Sequence, residues 1–236
     1  MISEKRIFIT GASRGIGRAL ALKLAGNGNA LGLLARNREE LESLADACRE
    51  SGAEVRVFAG DITDETFVRE SAGSMEAAFG SLDYLVNNAG YGIFKPAEMI
   101  TMEEWRDLMD VNVAGTFVCC KYFVPGMKQR GSGHIVNIAS DVAKRNFANG
   151  SLYCASKYAQ DAFSGALRKE LRPHGIKVSV VYSGLVDTHF HGNPGDPHAA
   201  TWLTDRDMAD AIYYVMDQPP HVVVDELMIH PLSQDY

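Results

Sequence analysis

Short apolar runs alternate with longer stretches of helical period along most of the chain. RIFIT, Arg6 to Thr10, reads as a buried strand, and IGRALALKLAGNG as an amphipathic helix ending at Gly26 or Gly28. ALGLLA is a second strand, followed by NREELESLADACRESG, a helix that the Asn37 side chain is placed to cap. EVRVFAG predicts a third strand and the segment near Asp64 to Phe79 a third helix. LDYLVNN and HIVNIAS are strands on either side of a long helical stretch from Thr101 to Arg130. A helix from about Ser151 to Arg172, the strand IKVSVVY, a helix near Asp205 to Gln218 and a last strand HVVVDELMIH complete the pattern. The strands are apolar throughout rather than alternating, as expected when both faces of a parallel sheet are covered. The pattern therefore predicts an α/β, doubly wound parallel sheet of about seven strands, joined by right-handed crossovers.

The pattern breaks once, in GLVDTHFHGNPGDPHAATW from Gly184 to Trp202, a stretch rich in Gly, Pro and His. A loop of that length inside a compact domain is usually functional, and a substrate lid near 184–205 is expected. The 236 residues otherwise suit a single domain spanning 1–236, and the 46% apolar fraction supplies a sizeable core. A net charge of -7 argues against a nucleic-acid partner. MISEKRIFIT does not read as a signal peptide, and VNVAGTFVCC is too short to cross a bilayer. Cys48, Cys119, Cys120 and Cys154 show no metal or disulfide spacing, so a cytoplasmic home with reduced thiols and no membrane partner is expected.

The first strand runs into TGASRGIG, Thr10 to Gly17, and a helix follows directly. Ligands of open parallel sheets bind beyond the carboxyl ends of the strands. There the backbone amides and the helix N-terminus favour phosphate. Gly11 suits a tight turn, and Gly15 and Gly17 a close approach of ligand and helix. The alternative is a plain turn with a glycine cap. Further along stand NNAG at Asn87 to Gly90, Ser140 after the fifth strand, and YCASK at Tyr153 to Lys157.

With G-x-x-x-G-x-G at the first turn and these three motifs in order, the chain resembles the short-chain dehydrogenase/reductase family over nearly its whole length. The resemblance implies a Rossmann-type fold and a nicotinamide cofactor. It carries cofactor contacts onto Gly11, Ser13, Arg14, Gly15, Ile16, Gly17, Asp61, Ile62, Asn88, Ala89, Gly90, Tyr153, Lys157, Gly184, Val186 and Thr188. Asp61 matches the position that holds the adenine ring, and Thr188 the one that touches the nicotinamide amide. Where NAD enzymes tend to place an acid after the second strand, this chain has Ala35 and then Arg36. Arg14 and Arg36, with no carboxylate between them, suit a 2′-phosphate, so NADP(H) is expected. Ser183 stands where relatives carry proline before Gly184, which bears on the rigidity of the segment near the nicotinamide.

Tyr153 and Lys157 share one helix face. Carbonyl reduction needs a proton at oxygen, and a tyrosine ionises near pH 10. Lowering that by about three units takes roughly 4 kcal/mol of preferential phenolate stabilisation, for which a nearby ammonium is suited. The resemblance makes Tyr153 the general acid/base and Ser140 the carbonyl anchor. Lys157 then binds the nicotinamide ribose and tunes Tyr153, and Asn112 supports a water leading to Lys157. His189, His191 and His198 sit without a carboxylate or cysteine pattern and are not read as a metal site.

For a small carbonyl substrate, the expected contacts are Ser140, Asp141, Tyr153, Leu185, His189, Phe190 and Trp202. The tail DELMIHPLSQDY is similar to those of the short reductases described as sepiapterin reductases or 3-hydroxy acid dehydrogenases. A pterin would find Asp141, whereas a hydroxy acid would find Lys144 or Arg145. Of the two, a sepiapterin-like carbonyl compound is the favoured expectation and a 3-hydroxy acid the alternative. A binding protein without turnover is the reading from another class, and the complete Ser140–Tyr153–Lys157 set argues against it. The apolar faces of Asn112 to Arg130 and Ser151 to Arg172, with the family likeness, lead to the expectation of a homodimer or homotetramer.

Overall fold

The computed structural model describes residues 1–187 and 201–234. Thr188, His189, Phe190, His191 and His198, and with them most of the expected lid, lie outside the described residues. The chain forms β1 (Arg6–Thr10), α1 (Gly15–Leu24), β2 (Ala30–Ala35), α2 (Arg38–Glu50), β3 (Glu54–Ala59), α3 (Glu65–Phe79) and β4 (Tyr84–Asn87). It continues through α4 (Met102–Met109), α5 (Gly115–Arg130), β5 (Gly133–Ser140), α6 (Ser151–Leu171), β6 (Ile176–Ser183), α7 (Asp205–Met216) and β7 (Glu226–Ile229).

All seven strands join one parallel sheet in the order β3-β2-β1-β4-β5-β6-β7, a Rossmann-type α/β fold. α1, α2 and α7 bury Leu20, Leu24, Leu41, Leu44, Met208 and Ile212 against one face. α3, α5 and the end of α6 bury Val68, Met75, Phe123, Met127 and Leu171 against the other. The order reverses between β1 and β4, where crossovers leave for opposite faces and open a crevice at the carboxyl edge. No helix among the described residues is long and apolar enough to cross a membrane.

Local sequence sets most of the boundaries. The Asn37 and Asp64 side chains accept from Glu40 N and Phe67 N, capping α2 and α3. Thr101 and Glu104 form a reciprocal capping box on α4. The stretch expected as one helix from Thr101 to Arg130 is interrupted by a π-helical turn, Asp110–Ala114, that bulges at Asn112. α1 stops at Leu24, and α7 stops at Met216, with Gln218 Nε2 donating to Tyr214 O at 2.7 Å. The last strand is shorter than its apolar run, because a turn in which Val222 N bonds Pro219 O keeps the preceding valines out of the ladder. All four cysteines are buried and unpaired, and burial pushes the Cys48 thiol up to about 11.

His134 enters β5 buried to 4% exposure, with its Nε2 2.7 Å from Ser179 Oγ. Desolvation, with nearby Lys177 adding to it, pulls its pKa down to about 3. The unfolded chain, ionising near the ordinary 6.5, takes up this proton first as pH falls. Stability is therefore lost as pH drops from about 6.5 towards 3, at up to roughly 1.4 kcal/mol per pH unit. Urea denaturation across that window is expected to give a flatter pH dependence for His134→Gln than for the parent, and an equal slope would remove His134 from the account.

Candidate active site

β1 ends at Thr10, and the turn beyond it is tied to the neighbouring strand end. Thr10 Oγ1 accepts the backbone N–H groups of Asn88 and Ala89, each at 3.0 Å, while Asn88 Nδ2 donates to Thr10 O and Gly11 O, each at 3.1 Å. Gly11 takes a φ of +64°, and a Cβ there would lie 2.9 Å from Ala89 Cα. A Cβ on Gly17 would lie 2.4 Å from Gly11 O. Gly17 thus lets α1 close onto its own turn. It does not line the crevice, which corrects its expected contact with a ligand.

The crevice forms a cleft of about 810 Å³. Along one side run Gly11, Ser13, Arg14, Gly15, Ile16, Arg36, Asn88, Ala89 and Gly90, and along the other Ser140, Tyr153, Lys157, Gly184, Leu185 and Val186. A second hollow of about 340 Å³ adjoins it, lined by Arg14, Arg36, Asp61, Ile62 and Glu40. Asp61 Oδ1 accepts from Thr63 N at 2.9 Å, which shapes this turn. Arg14 and Arg36 do meet at this corner, but the expectation of no carboxylate is wrong. Glu40, one turn into α2, takes a bidentate ion pair from Arg14, with Nε to Oε2 at 2.7 Å. The pairing is non-local, so the motif around Arg14 gave no sign of it.

Across the cleft, Ser140 ends β5 beside Ser183 of β6 and hydrogen-bonds the Tyr153 hydroxyl. Tyr153 is 7% exposed, and Phe94 packs edge-on against its ring at 5.3 Å. Burial is the largest influence on this phenol and drives its ionisation upward. The Ser140 hydrogen bond opposes that, while the charge of Asp141 adds to it. Lys157 Nζ lies 5.8 Å from the Tyr153 ring centroid, donates to Ile138 O at 3.2 Å, and is depressed by burial to about 7. The protein's own groups thus hold the phenol protonated and the ammonium close to neutrality.

Asn112 lies behind the cleft rather than in it. Its Oδ1 accepts Tyr91 N at 3.0 Å, and its Nδ2 donates to Tyr91 O at 2.9 Å and Ser156 Oγ at 3.0 Å. The side chain therefore braces the segment after Gly90 against α6.

The expected substrate contacts divide. Asp141 is buried at the cleft, yet its carboxylate already receives Arg145, Gln234 Nε2 at 2.8 Å and His230 Nε2 at 3.2 Å, with Ser140 Oγ at 3.1 Å. That leaves it poorly placed to read a pterin. Lys144 pairs with Asp161 at 2.8 Å and Glu226 at 3.5 Å and does not line the cleft, whereas Arg145 does. Leu185 lines the cleft. Trp202, half-buried one residue before the bridge between Leu203 and Val186, does not.

Other lining residues went unread in the sequence. Phe94 and Phe147, with ring centroids 5.8 Å apart, and Tyr91 give the mouth an aromatic wall, beside which Val142 adds an aliphatic surface. Ser233 and Gln234 reach it from the far end of the chain, and Gln234 Oε1 accepts Leu185 N at 2.8 Å. Only the apolar spacing in NNAGYGIF could have hinted at Phe94.

A nicotinamide dinucleotide fits this donor set. The first N–H groups of α1 have no intrahelical acceptor and open on the cleft, basic side chains stand at its far corner, and a hydroxyl pair stands at the other end. Gly17→Ala is expected to push α1 off its turn, lowering the melting temperature and weakening NADP(H) binding at least about tenfold. Calorimetry and cofactor fluorescence would read both, and unchanged affinity would show that the close approach is dispensable.

The family model described as short chain dehydrogenase matches residues 5–197. An uncharacterized oxidoreductase of Staphylococcus aureus (strain MW2) is 32% identical over 234 residues, covering 98% of this chain and 99% of that protein. An alcohol dehydrogenase from the archaeon Thermococcus sibiricus, solved with 5-hydroxy-NADP, superposes with a TM-score of 0.91 at 34% identity, covering 98% of each chain. The closed form of a serine dehydrogenase complexed with NADP+ gives a TM-score of 0.89 at 28% identity, covering 98% of this chain and 96% of that one.

Proposed function

Since the chain belongs to the short-chain dehydrogenase family, we propose that it is an NADP(H)-dependent oxidoreductase that interconverts a small ketone or diketone and its alcohol. The observation that carries this reading is the meeting of Ser140, Tyr153 and Lys157 on one wall of the cleft. NADP(H) would supply or accept the hydride. Ser140 holds the substrate oxygen beside the Tyr153 hydroxyl, and Tyr153 donates its proton to that oxygen as charge develops there. A positive Lys157 favours the phenolate left behind. Gly11, Ser13, Gly15 and Ile16 would hold the pyrophosphate of NADP(H), Asp61 and Ile62 its adenine, and Gly90, Gly184 and Val186 its nicotinamide end.

Preference for NADP(H) rests on Arg36 and Arg14, and two NADP-bound relatives support it. Glu40 opposes it by occupying Arg14. Replacing Arg36 with Ala is expected to raise the KM for NADPH on the order of tenfold while sparing NADH. Glu40→Gln, by releasing Arg14, is expected to lower the KM for NADPH. Equal effects on the two cofactors would discard the 2′-phosphate assignment.

The aromatic wall of Phe94 and Phe147 favours a carbonyl flanked by an apolar or aromatic group, and the engaged Asp141 weakens the case for a pterin. A 3-hydroxy acid is the second reading, supported by the serine dehydrogenase likeness, although Arg145, the cation at the cleft, is already paired with Asp141. NADPH consumption across aromatic ketones, diketones, a pterin-type diketone and 3-oxo acids would separate these. Tyr153→Phe is expected to lose about 10²–10⁴-fold in turnover. Tight NADPH binding without reduction of any carbonyl would favour the non-catalytic binding protein instead. We further propose pairing of subunits through α5 and α6, supported by the exposure of Phe117 and Tyr158 on these helices.

A further inference from the structure

α6 buries a polar row where it meets the sheet: Lys157, Gln160 and Ser164 follow at helical spacing, all almost fully enclosed. Gln160 is 1% exposed and does not line the cleft. An amide placed there costs stability unless both its ends are satisfied. Its neighbours settle which way it faces. An ammonium has only hydrogens to give, so Oε1 must turn to Lys157 Nζ, at 2.7 Å. Nε2 then donates to Thr116 Oγ1 at 3.0 Å, and Thr116 Oγ1 donates to Asn112 O at 3.0 Å. Every hydrogen in this chain points away from Lys157, and it ends on a main-chain carbonyl at the π-helical bulge.

The other contact of Lys157 Nζ, Ile138 O, is also an acceptor. A neutral amine could still donate to both, but less strongly, because a charge-assisted N–H···O bond is roughly twice as strong as a neutral one. The surroundings thus match the charged form in hydrogen bonding while burial opposes it. Lys157 lies under Tyr153, so its charge state sets how readily that phenol ionises.

We propose that Gln160 is a positioning residue, holding Lys157 as an ammonium aimed at Tyr153 through a hydrogen-bond chain anchored on Thr116 and Asn112. The catalytic meaning of this arrangement rests on the proposed oxidoreductase reading; the arrangement itself does not. Other groups face the pair as well. From β5 and the turn beyond it come Ser140 and Asp141, the latter engaged by Arg145, His230 and Gln234. From α6 comes Cys154, whereas the bulge and α5 contribute Asn112 and Thr116, which carry no titrating group. Replacing Gln160 leaves all of these in place.

The test is a titration of the Lys157 amine by NMR of protein labelled with 15N at lysine Nζ, with and without saturating NADP+. The Lys157 signal is the one lost in Lys157→Met, and it is followed in the parent and in a Gln160→Met background. Methionine keeps the length and volume of the side chain but is a weak acceptor. Lys157 should then lose its proton about one pH unit lower, a roughly tenfold smaller ammonium fraction at a given pH above the midpoint. Thr116→Val, which leaves the amide in place but frees its far end, should shift the midpoint in the same direction by less. If Gln160→Met fails to fold, Thr116→Val carries the test alone. An unmoved midpoint in the folded variants overturns the proposal. No substrate enters the measurement, so a shifted midpoint in a protein that reduces no carbonyl upholds the role of Gln160 while the reductase reading falls.

Discussion

A buried ammonium constrains everything packed around it. Lys157 is 4% exposed, and taking such a charge out of water costs several kcal/mol unless fixed acceptors replace the solvent. Those acceptors come from β5 and from α6 itself, and the polar seam extends through α5 and the bulge before it. Ser164 Oγ closes back onto Gln160 O and receives Asn137 Nδ2 at 2.7 Å, and Asn137 Oδ1 accepts Asn87 Nδ2 at 2.8 Å. Polar groups buried together in this way fix the register of α6 on the sheet more narrowly than apolar packing does. The reactive face of α6 is aligned with the strand ends as a result.

The opposite end of the cleft is organised by a different balance. The paired main-chain and side-chain bonds between Thr10, Gly11 and Asn88 hold the turns after β1 and β4 together. Asn88 therefore ties two strand ends together and lines the cleft as well. Further out, the Arg14–Glu40 pair is exposed to solvent, where such pairs contribute little to stability and exchange partners readily. Selectivity at this corner depends on competition between a carboxylate already present and an incoming anion, a softer arrangement than a guanidinium pair alone.

Much of this was legible in the sequence because it is local. The strand-helix alternation, the cap at Asn37, the helix start near Asp64, and the motif residues Ser140, Tyr153 and Lys157 depend on neighbours a few positions away. What escaped depends on partners far along the chain: Glu40 meets Arg14 across 26 positions, and Gln234 meets Asp141 across 93. The bulge at Asn112 escaped for another reason. MDVNVAG has no Pro or Gly before Asn112 to announce a break, and the extra residue is accommodated because Asn112 finds partners in Tyr91 and Ser156. Gln160 was readable in principle, since a long polar side chain three residues after Lys157 lies on the same helix face.

The grip of Gln234 on Asp141 and Leu185 also bears on the order of assembly. A chain emerging from the ribosome presents the turn after β1 early and Ser140 midway, but the residue that ties the wall behind Ser140 to the strand end at Leu185 comes more than two hundred residues after that turn. β6 likewise gains its outer neighbour only when Glu226–Ile229 arrive. A nascent chain can therefore close the nucleotide half of its cleft well before the reactive half, and the earlier half is the one a cofactor can occupy while synthesis proceeds.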